Sequence, residues 1–511
     1  MSRRAWCGIV ASATSYAVLC QRALFCCLII AEFMRSLSPT LIVVFAVFAA
    51  GTSCSGAAPA DAQWGHAFVA PPQFEDGIPR LSSGIPTRSA FVEGEWRTHL
   101  GASHRSGLRD SPALEAPHAA WSARVGIQGY TNTPLIAANV VYVTSQGTTH
   151  NAPDAEDGFY ALRKSDGQEL WHTEIEEDVN GGVLTDTLVV GGGDTGMLYA
   201  VDRATGDLVW SRQFDTAHRH APLERNGELW VSQRDGVHRV QVSTGAPIAV
   251  ISSTTDAFDN RGGLAAFEDA VYRISGRSIV ERLDDERVLW AAIPSAGFVN
   301  SEWGRAAYGP PLALPGGALV QHDVNASNPT DFGRVAMYLD DGSLIWEFGQ
   351  RANALEAGVP VGESNQGYDV AYNAGTPWMW RGVVWSNTLL SMRVLGARVE
   401  DGVNVAESAA VDCTTRAFAS LVGVRDTLYR AHHNGHIIAF STTTGEMLWQ
   451  YDLSYHSNHG VRSFSESPAQ VSYCMGEPYD GSGLFATPAV DEDGSLFVGS
   501  GEGWLYHLVE R

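Results

Sequence analysis

Lysine is almost missing from this chain: Lys164 stands alone among 511 residues, and the other basic side chains are arginines. Charge is sparse at 18% of residues and one-sided, with 57 acids against 34 bases and a net charge of −23. Such a surface repels nucleic acid and anionic headgroups, so no nucleic-acid partner is expected. Cysteine is scarce too: of 7, only Cys413 and Cys474 follow Cys54. No C-x-x-C-H haem site, G-x-S-x-G elbow or P-loop occurs. Long apolar runs are lacking; Leu41–Ala50 has signal-peptide length and is too short to span a bilayer. An earlier apolar stretch with Cys20, Cys26 and Cys27 is interrupted by Gln21 and Arg22, which counts against a membrane span there. Gly191, Gly193 and Gly196 do satisfy G-x-G-x-x-G. The helix that motif needs is replaced by two short apolar runs around a Thr-Gly turn, which is a hairpin signal.

Glycine and tryptophan are plentiful, at 53 and 15 residues, and they fall in a pattern. Ala200-x-Asp202-x-x-Thr205-Gly206 leads to Trp210. The same step joins Gly167 to Trp171, Gly342 to Trp346 and Gly445 to Trp449, and Asp284-Asp285-Glu286 leads to Trp290. Weaker copies put Ala249 and Ala406 in the tryptophan slot, and Trp121 lies in Ala119–Val125, which reads as a last strand alone. The slots are about 40 to about 60 residues apart, the spacing of four-stranded propeller blades. Lead-ins such as Thr133-Pro134 and Thr487-Pro488 open each unit. The last unit lacks its tryptophan strand and Trp121 lacks its other three, so joining the two closes a ring without open edges. The expectation is an all-β, eight-bladed β-propeller of four-stranded antiparallel blades, closed by pairing of N- and C-terminal strands. Seven blades is the alternative, if the unit near Ala406 is an insertion. Trp121, Trp171, Trp210, Trp290, Trp346 and Trp449 are expected to pack flat in the seams between blades.

The Ala-x-Asp-x-x-Thr-Gly-x-x-x-Trp pattern resembles the docking repeat of pyrroloquinoline-quinone (PQQ) propellers, over about 118–511. That resemblance speaks to fold and leaves chemistry open. It implies one of two branches: quinoprotein dehydrogenases, or non-enzymatic envelope propellers such as the lipoprotein of the outer-membrane β-barrel assembly machinery. The enzyme branch carries calcium on oxygen ligands, an aspartate base and often adjacent disulfide-bonded cysteines. Here the one adjacent pair, Cys26-Cys27, precedes the signal peptide. No cofactor is therefore expected, with PQQ and calcium as the alternative.

Residues 1–53 read as a signal region, with Met34 a plausible true start. Gly51-Thr52-Ser53-Cys54 resembles a bacterial lipoprotein signal, making Cys54 the acylated residue of an exported outer-membrane lipoprotein, periplasmic or cell-surface facing. Removal of residues 1–53 leaves a mature charge of 30 − 56 = −26. Cys413 and Cys474 are a disulfide candidate in an oxidising compartment, or two buried thiols. Residues 54–95, rich in Ala, Pro, Ser and Gly, read as a flexible tether, and 96–511 as the propeller, with 96–111 a segment packed on one face. Insertions at 144–159, 295–309, 322–333, 350–373 and 454–485 read as loops suited to envelope-protein partners. Asn132, His220, Arg261, Tyr308 and Arg416 stand at strand lead-ins facing a central funnel. They would suit an anionic or aromatic ligand, or simply line a water-filled channel. His432-His433-x-x-His436 flanks an Asn-Gly turn at the surface, and adjacent histidines on a strand point to opposite faces, so no metal is expected there. The functional expectation is a lipid-anchored binding scaffold; a funnel-using oxidoreductase and a polysaccharide-binding propeller are the alternatives.

Overall fold

The computed structural model describes residues 89–129, 132–253, 263–275, 279–292, 309–322, 334–349, 375–387, 394–409, 419–432, 435–453 and 483–511. All belong to the compact unit Phe68–Arg511. They build eight sheets, each with four antiparallel strands, and every regular element among them is a strand. Blade 1 consists of Leu135–Ala137, Val140–Gln146, Asp157–Arg163 and Glu169–Glu174. Blades 2 to 7 follow at 179–213, 223–252, 264–292, 312–349, 378–407 and 422–452. Blade 8 is composite: Ala489–Val490, Leu496–Gly499 and Trp504–Glu510 are completed by Pro117–Arg124 from near the start. Trp121 there stands opposite His507. The fold is an eight-bladed β-propeller. The unit around Ala406 is a full blade, so eight is the count rather than seven.

Each outer hairpin is built by the same local chemistry. In blade 2, Asp202 Oδ1 accepts from the N–H groups of Ala204 (2.8 Å) and Thr205 (3.0 Å). Gly206 then turns the chain at φ +79° and donates to Asp202 O, a conformation that costs glycine little. The returning strand carries a β-bulge just before the tryptophan slot. Trp210 pairs with Ala200 and Leu208 with Val201, leaving Val209 as the extra residue. The same shift occurs at Trp121, Trp171, Trp290, Trp346 and Trp449, and also at Ala249 and Ala406. A bulge re-aims the side chain that follows it. At five slots it leaves the preceding apolar residue in solvent: Leu170, Val209, Ile248, Leu289 and Leu448 are exposed, while Ile345 and Val405 stay partly buried.

The re-aimed indoles meet the next blade. Trp121 Nε1 donates to Lys164 O, Trp171 to Arg203 O, Trp210 to Val242 O and Trp346 to Val399 O, at 3.0, 3.2, 2.9 and 2.6 Å. Each ring lies on the turn glycine of that hairpin. A Cβ at Gly167, Gly206, Gly245 or Gly402 would stand 2.6 to 2.8 Å from the indole. Glycine is thus required both by the turn and by the ring above it. Trp290 donates to Asp340 O (2.7 Å) and Trp449 to Leu114 O (2.6 Å). Where Ala249 fills the slot, Arg239 supplies the bond instead, its Nη1 donating to Asp285 O. Its guanidinium lies 5.0 Å from the Trp230 ring centroid, and its Nε pairs with Glu228 at 2.7 Å. That seam's turn, Asp284 to Arg287, has no glycine and has no indole to accommodate. At the Ala406 seam, Trp380 Nε1 donates to Asp426 Oδ1 (2.8 Å).

Trp210 is 9% exposed among Val183, Leu198, Leu229 and Val240. Trp210→Ala is expected to cost about 3–5 kcal/mol through the cavity it leaves. Urea unfolding checks this; a loss under about 1 kcal/mol would mean the seam does not depend on the ring.

Candidate functional site

The inner strands of the blades are bridged by one segment of the chain itself. Trp96 and Ile136 of blade 1 exchange backbone bonds at 2.8 and 2.9 Å. Leu184 of blade 2 donates to Arg97 O (2.7 Å), Ala266 of blade 4 to Ser103 O (2.8 Å), and Ala313 of blade 5 to His104 O (3.0 Å). Gly423 of blade 7 donates to Gly107 O (2.8 Å), and Leu108–Arg109 then runs parallel to that blade's first strand. Ser89 Oγ reaches Met379 O of blade 6 (2.7 Å). Arg105 Nη2 reaches Ala221 O and Pro222 O, just ahead of blade 3's first strand. The segment continues into Pro117–Arg124, the outer strand of blade 8. Residues 89–111 therefore form a hub that bonds to the inner strands or lead-ins of seven blades before completing the eighth. Of the segment read as a tether, Ser89 and Val92 are buried with the hub.

The funnel candidates fare unequally. Asn132 is fully buried and spent: Nδ2 donates to Thr144 O, Thr144 Oγ1 and Val179 O, and Oδ1 accepts from Gly129 N. It clamps blade 1 to blade 2 and presents no group to a ligand. His220 is half-buried and lines a small open pocket with His218, Arg219, Ser232 and Gly263. Arg261, Tyr308 and Arg416 lie outside the described residues, as do Cys54, Cys413 and Cys474. His432 is fully buried and donates its backbone N–H to His436 O across the Gly435 turn, so it does not sit at the surface. A quinone with calcium needs oxygen donors grouped around the ion. Among the described residues no three His, Cys, Asp or Glu side chains are so grouped.

What the sequence reading missed is the axial polar belt. Thr376 Oγ1 donates to Pro310 O (2.7 Å), and Thr376 N donates to Ser420 Oγ (3.0 Å). Ser420 N donates to Thr487 Oγ1 (2.9 Å), linking blades 5 to 8. His99 of the hub bridges Ser420 Oγ (3.1 Å) and Thr133 Oγ1 (2.9 Å). The recurring Thr-Pro lead-ins were the available signal; nothing in the sequence marked His99. Below it, Arg105 is buried with donors on Thr98 Oγ1, His99 O (3.0 Å) and Leu264 O (3.1 Å). Burial pulls its guanidinium down to about 9. The same burial, with Arg105 and His220 nearby, holds His99 well below the usual imidazole range.

Burial also pulls His104, His218 and His507 down to about 4. These imidazoles stay neutral in the fold but take up protons near 6.5 when unfolded. Below that value the unfolded chain binds more protons, so stability falls as pH drops, by about 1.4 kcal/mol per unit for each group. Asp157, pushed up to about 7 by burial, offsets one of them. The urea midpoint at pH 5 is therefore expected below that at pH 7. Equal midpoints would contradict the neutral, buried state of these rings.

A family model described as outer membrane protein assembly factor BamB matches residues 159–248, the end of blade 1 through blade 3. No curated protein matches the chain in sequence. Among solved structures, BamB from Moraxella catarrhalis is similar at 12% identity and TM-score 0.52, covering 77% of this chain and 97% of its own. A europium-containing methanol dehydrogenase is similar at 12% identity and TM-score 0.55, covering 81% and 98%. The quinohemoprotein alcohol dehydrogenase ADHIIG from Pseudomonas putida HK5 is similar at 13% identity and TM-score 0.53, covering 81% and 80%. Likeness at this identity speaks to the fold. The ring of tryptophan-slot hairpins, the matched blades and the shared architecture give this chain the fold of PQQ-like β-propellers.

Proposed function

We propose that this propeller is a non-enzymatic binding scaffold of the cell envelope, anchored through lipid on Cys54 and engaging outer-membrane proteins during their assembly. The observation that carries the reading is the hub. Polar side chains that would serve a ligand on the axis, His99, Thr133, Thr376 and Ser420, are bonded to one another and to the ring. Binding capacity then falls to the loops. In four-stranded antiparallel blades, the second-to-third turns and the blade-to-blade crossings share one end of the ring. The Gly147–Glu156 turn of blade 1 lies at that end. The other insertions predicted from sequence fall wholly or largely outside the described residues. The BamB match over 159–248 and the BamB-like architecture agree with this reading.

The test uses the full chain in its native envelope. Crosslinking followed by affinity capture is expected to recover outer-membrane proteins, and Cys54→Ala is expected to move the protein from the membrane fraction to the soluble one. In parallel, purified protein supplied with PQQ and calcium is expected to show no dye reduction with alcohols. Turnover in that assay would sink the scaffold reading and favour the oxidoreductase one.

A further inference from the structure

Gln146 and Asp157 form the last rung between the second and third strands of blade 1. Both are buried, at 2% and 0% exposure. Gln146 Nε2 donates to Asn180 Oδ1 of blade 2 (2.6 Å), while its Oε1 has no partner. Asp157 Oδ2 accepts from Asp154 N (2.8 Å), while its Oδ1 has none. Two buried acceptors without donors, on facing residues, need an explanation. Directly opposed residues share a sheet face with Cβ atoms about 5 Å apart, so these side chains can meet. One proton satisfies both: on Asp157 Oδ1 it becomes a donor, and Gln146 Oε1 accepts it.

We propose that Asp157 is a protonated acid bonded to Gln146 Oε1, forming a catch that ties the Gly147–Glu156 turn to blade 2 and opens when the proton leaves. The surroundings favour the neutral acid. Burial acts most strongly; the Asp154 backbone N–H, which favours the anion, opposes it, and the carboxylates of Asp178, Asp154 and Glu177 add to it; together they push it up to about 7. The other groups around the cluster are His150, paired with Asp178 at 2.6 Å, and Arg219, paired with Asp194 at 2.9 Å. Asp194 in turn accepts from Asn180, and His172 Nε2 lies 3.2 Å from Asp157 O. Arg124 pairs with Glu156 at 2.9 Å. Ionised, Asp157 faces the carboxylates that hold the turn. Asp154 Oδ2 accepts from Thr148 N and Thr149 N, and Asp178 accepts from Asn151 N. Added negative charge there repels both and loosens the turn. The device stands apart from the scaffold reading, since it needs no partner.

Asp157→Asn keeps the shape and donates to Gln146 Oε1 at every pH. Because the native acid holds its proton above the unfolded value of 3.8, wild type loses ground to the variant as pH rises. The ratio of their unfolding constants in urea is expected to change roughly tenfold per unit from pH 5 to about 7 and to level above. A ratio constant over pH 5 to 8 overturns the proposal. Should the variant fail to fold, wild type alone decides. The infrared band of a protonated carboxyl should vanish between pH 6 and 8. Amide exchange at Thr148, Thr149 and Asn151, corrected for base catalysis, should rise over the same interval. Absence of the band at pH 6 refutes the shared proton, and unchanged exchange refutes the catch.

Discussion

An indole laid on the glycine of the next hairpin sets the geometry of most seams in this ring. The contact works only because the strand bulges one residue earlier, which turns the slot side chain into the neighbouring blade and the preceding apolar residue outward. A closed ring tolerates little variation between seams, since every angular error accumulates at the closure. That constraint explains why the bulge persists at Ala249 and Ala406, where no indole follows. It also explains Arg239, which puts a planar, hydrogen-bonding side chain on Asp285 O where the other seams use tryptophan. A guanidinium matches an indole here in flatness and in having an N–H to give.

The hub imposes a second constraint. One short segment bonds to inner strands that are hundreds of residues apart, so it can settle only after those blades exist. Contacts of such sequence separation are reached late and slowly. The same residues carry the axial electrostatics. Arg105 and the imidazole of His99 share a dry interior, and the cation is met there by carbonyl and hydroxyl oxygens rather than by a carboxylate. His99 is kept neutral as a result, which suits its place between two hydroxyls, where it must offer one donor and one acceptor.

The candidate site was only partly legible. Thr133-Pro134 and Thr487-Pro488 could be read as lead-ins because a residue before proline is held extended. That their hydroxyls join a belt could not, since Thr487 Oγ1 meets Ser420 N and Thr133 Oγ1 meets His99. Asn132 looked available because its lead-in position was visible and its acceptors were not: Thr144 and Val179 reach it from neighbouring strands. His99 and Arg105 lie outside the repeat, so periodicity gave no reason to single them out.

Sequence alone narrowed the blade count to eight or seven and determined the composite last blade and the turns, because these rest on short-range chemistry repeated at regular intervals. An Asp or Thr-Gly turn, an apolar alternation and a slot residue are all read within about a dozen positions. The tertiary structure decided where the N-terminal segment goes, which polar groups are spent, and which side chain serves a seam without an indole. Those outcomes rest on hydrogen bonds between residues far apart in the chain, such as His99 with Ser420 and Arg105 with Leu264. No local pattern encodes such a pair until the ring brings its members together.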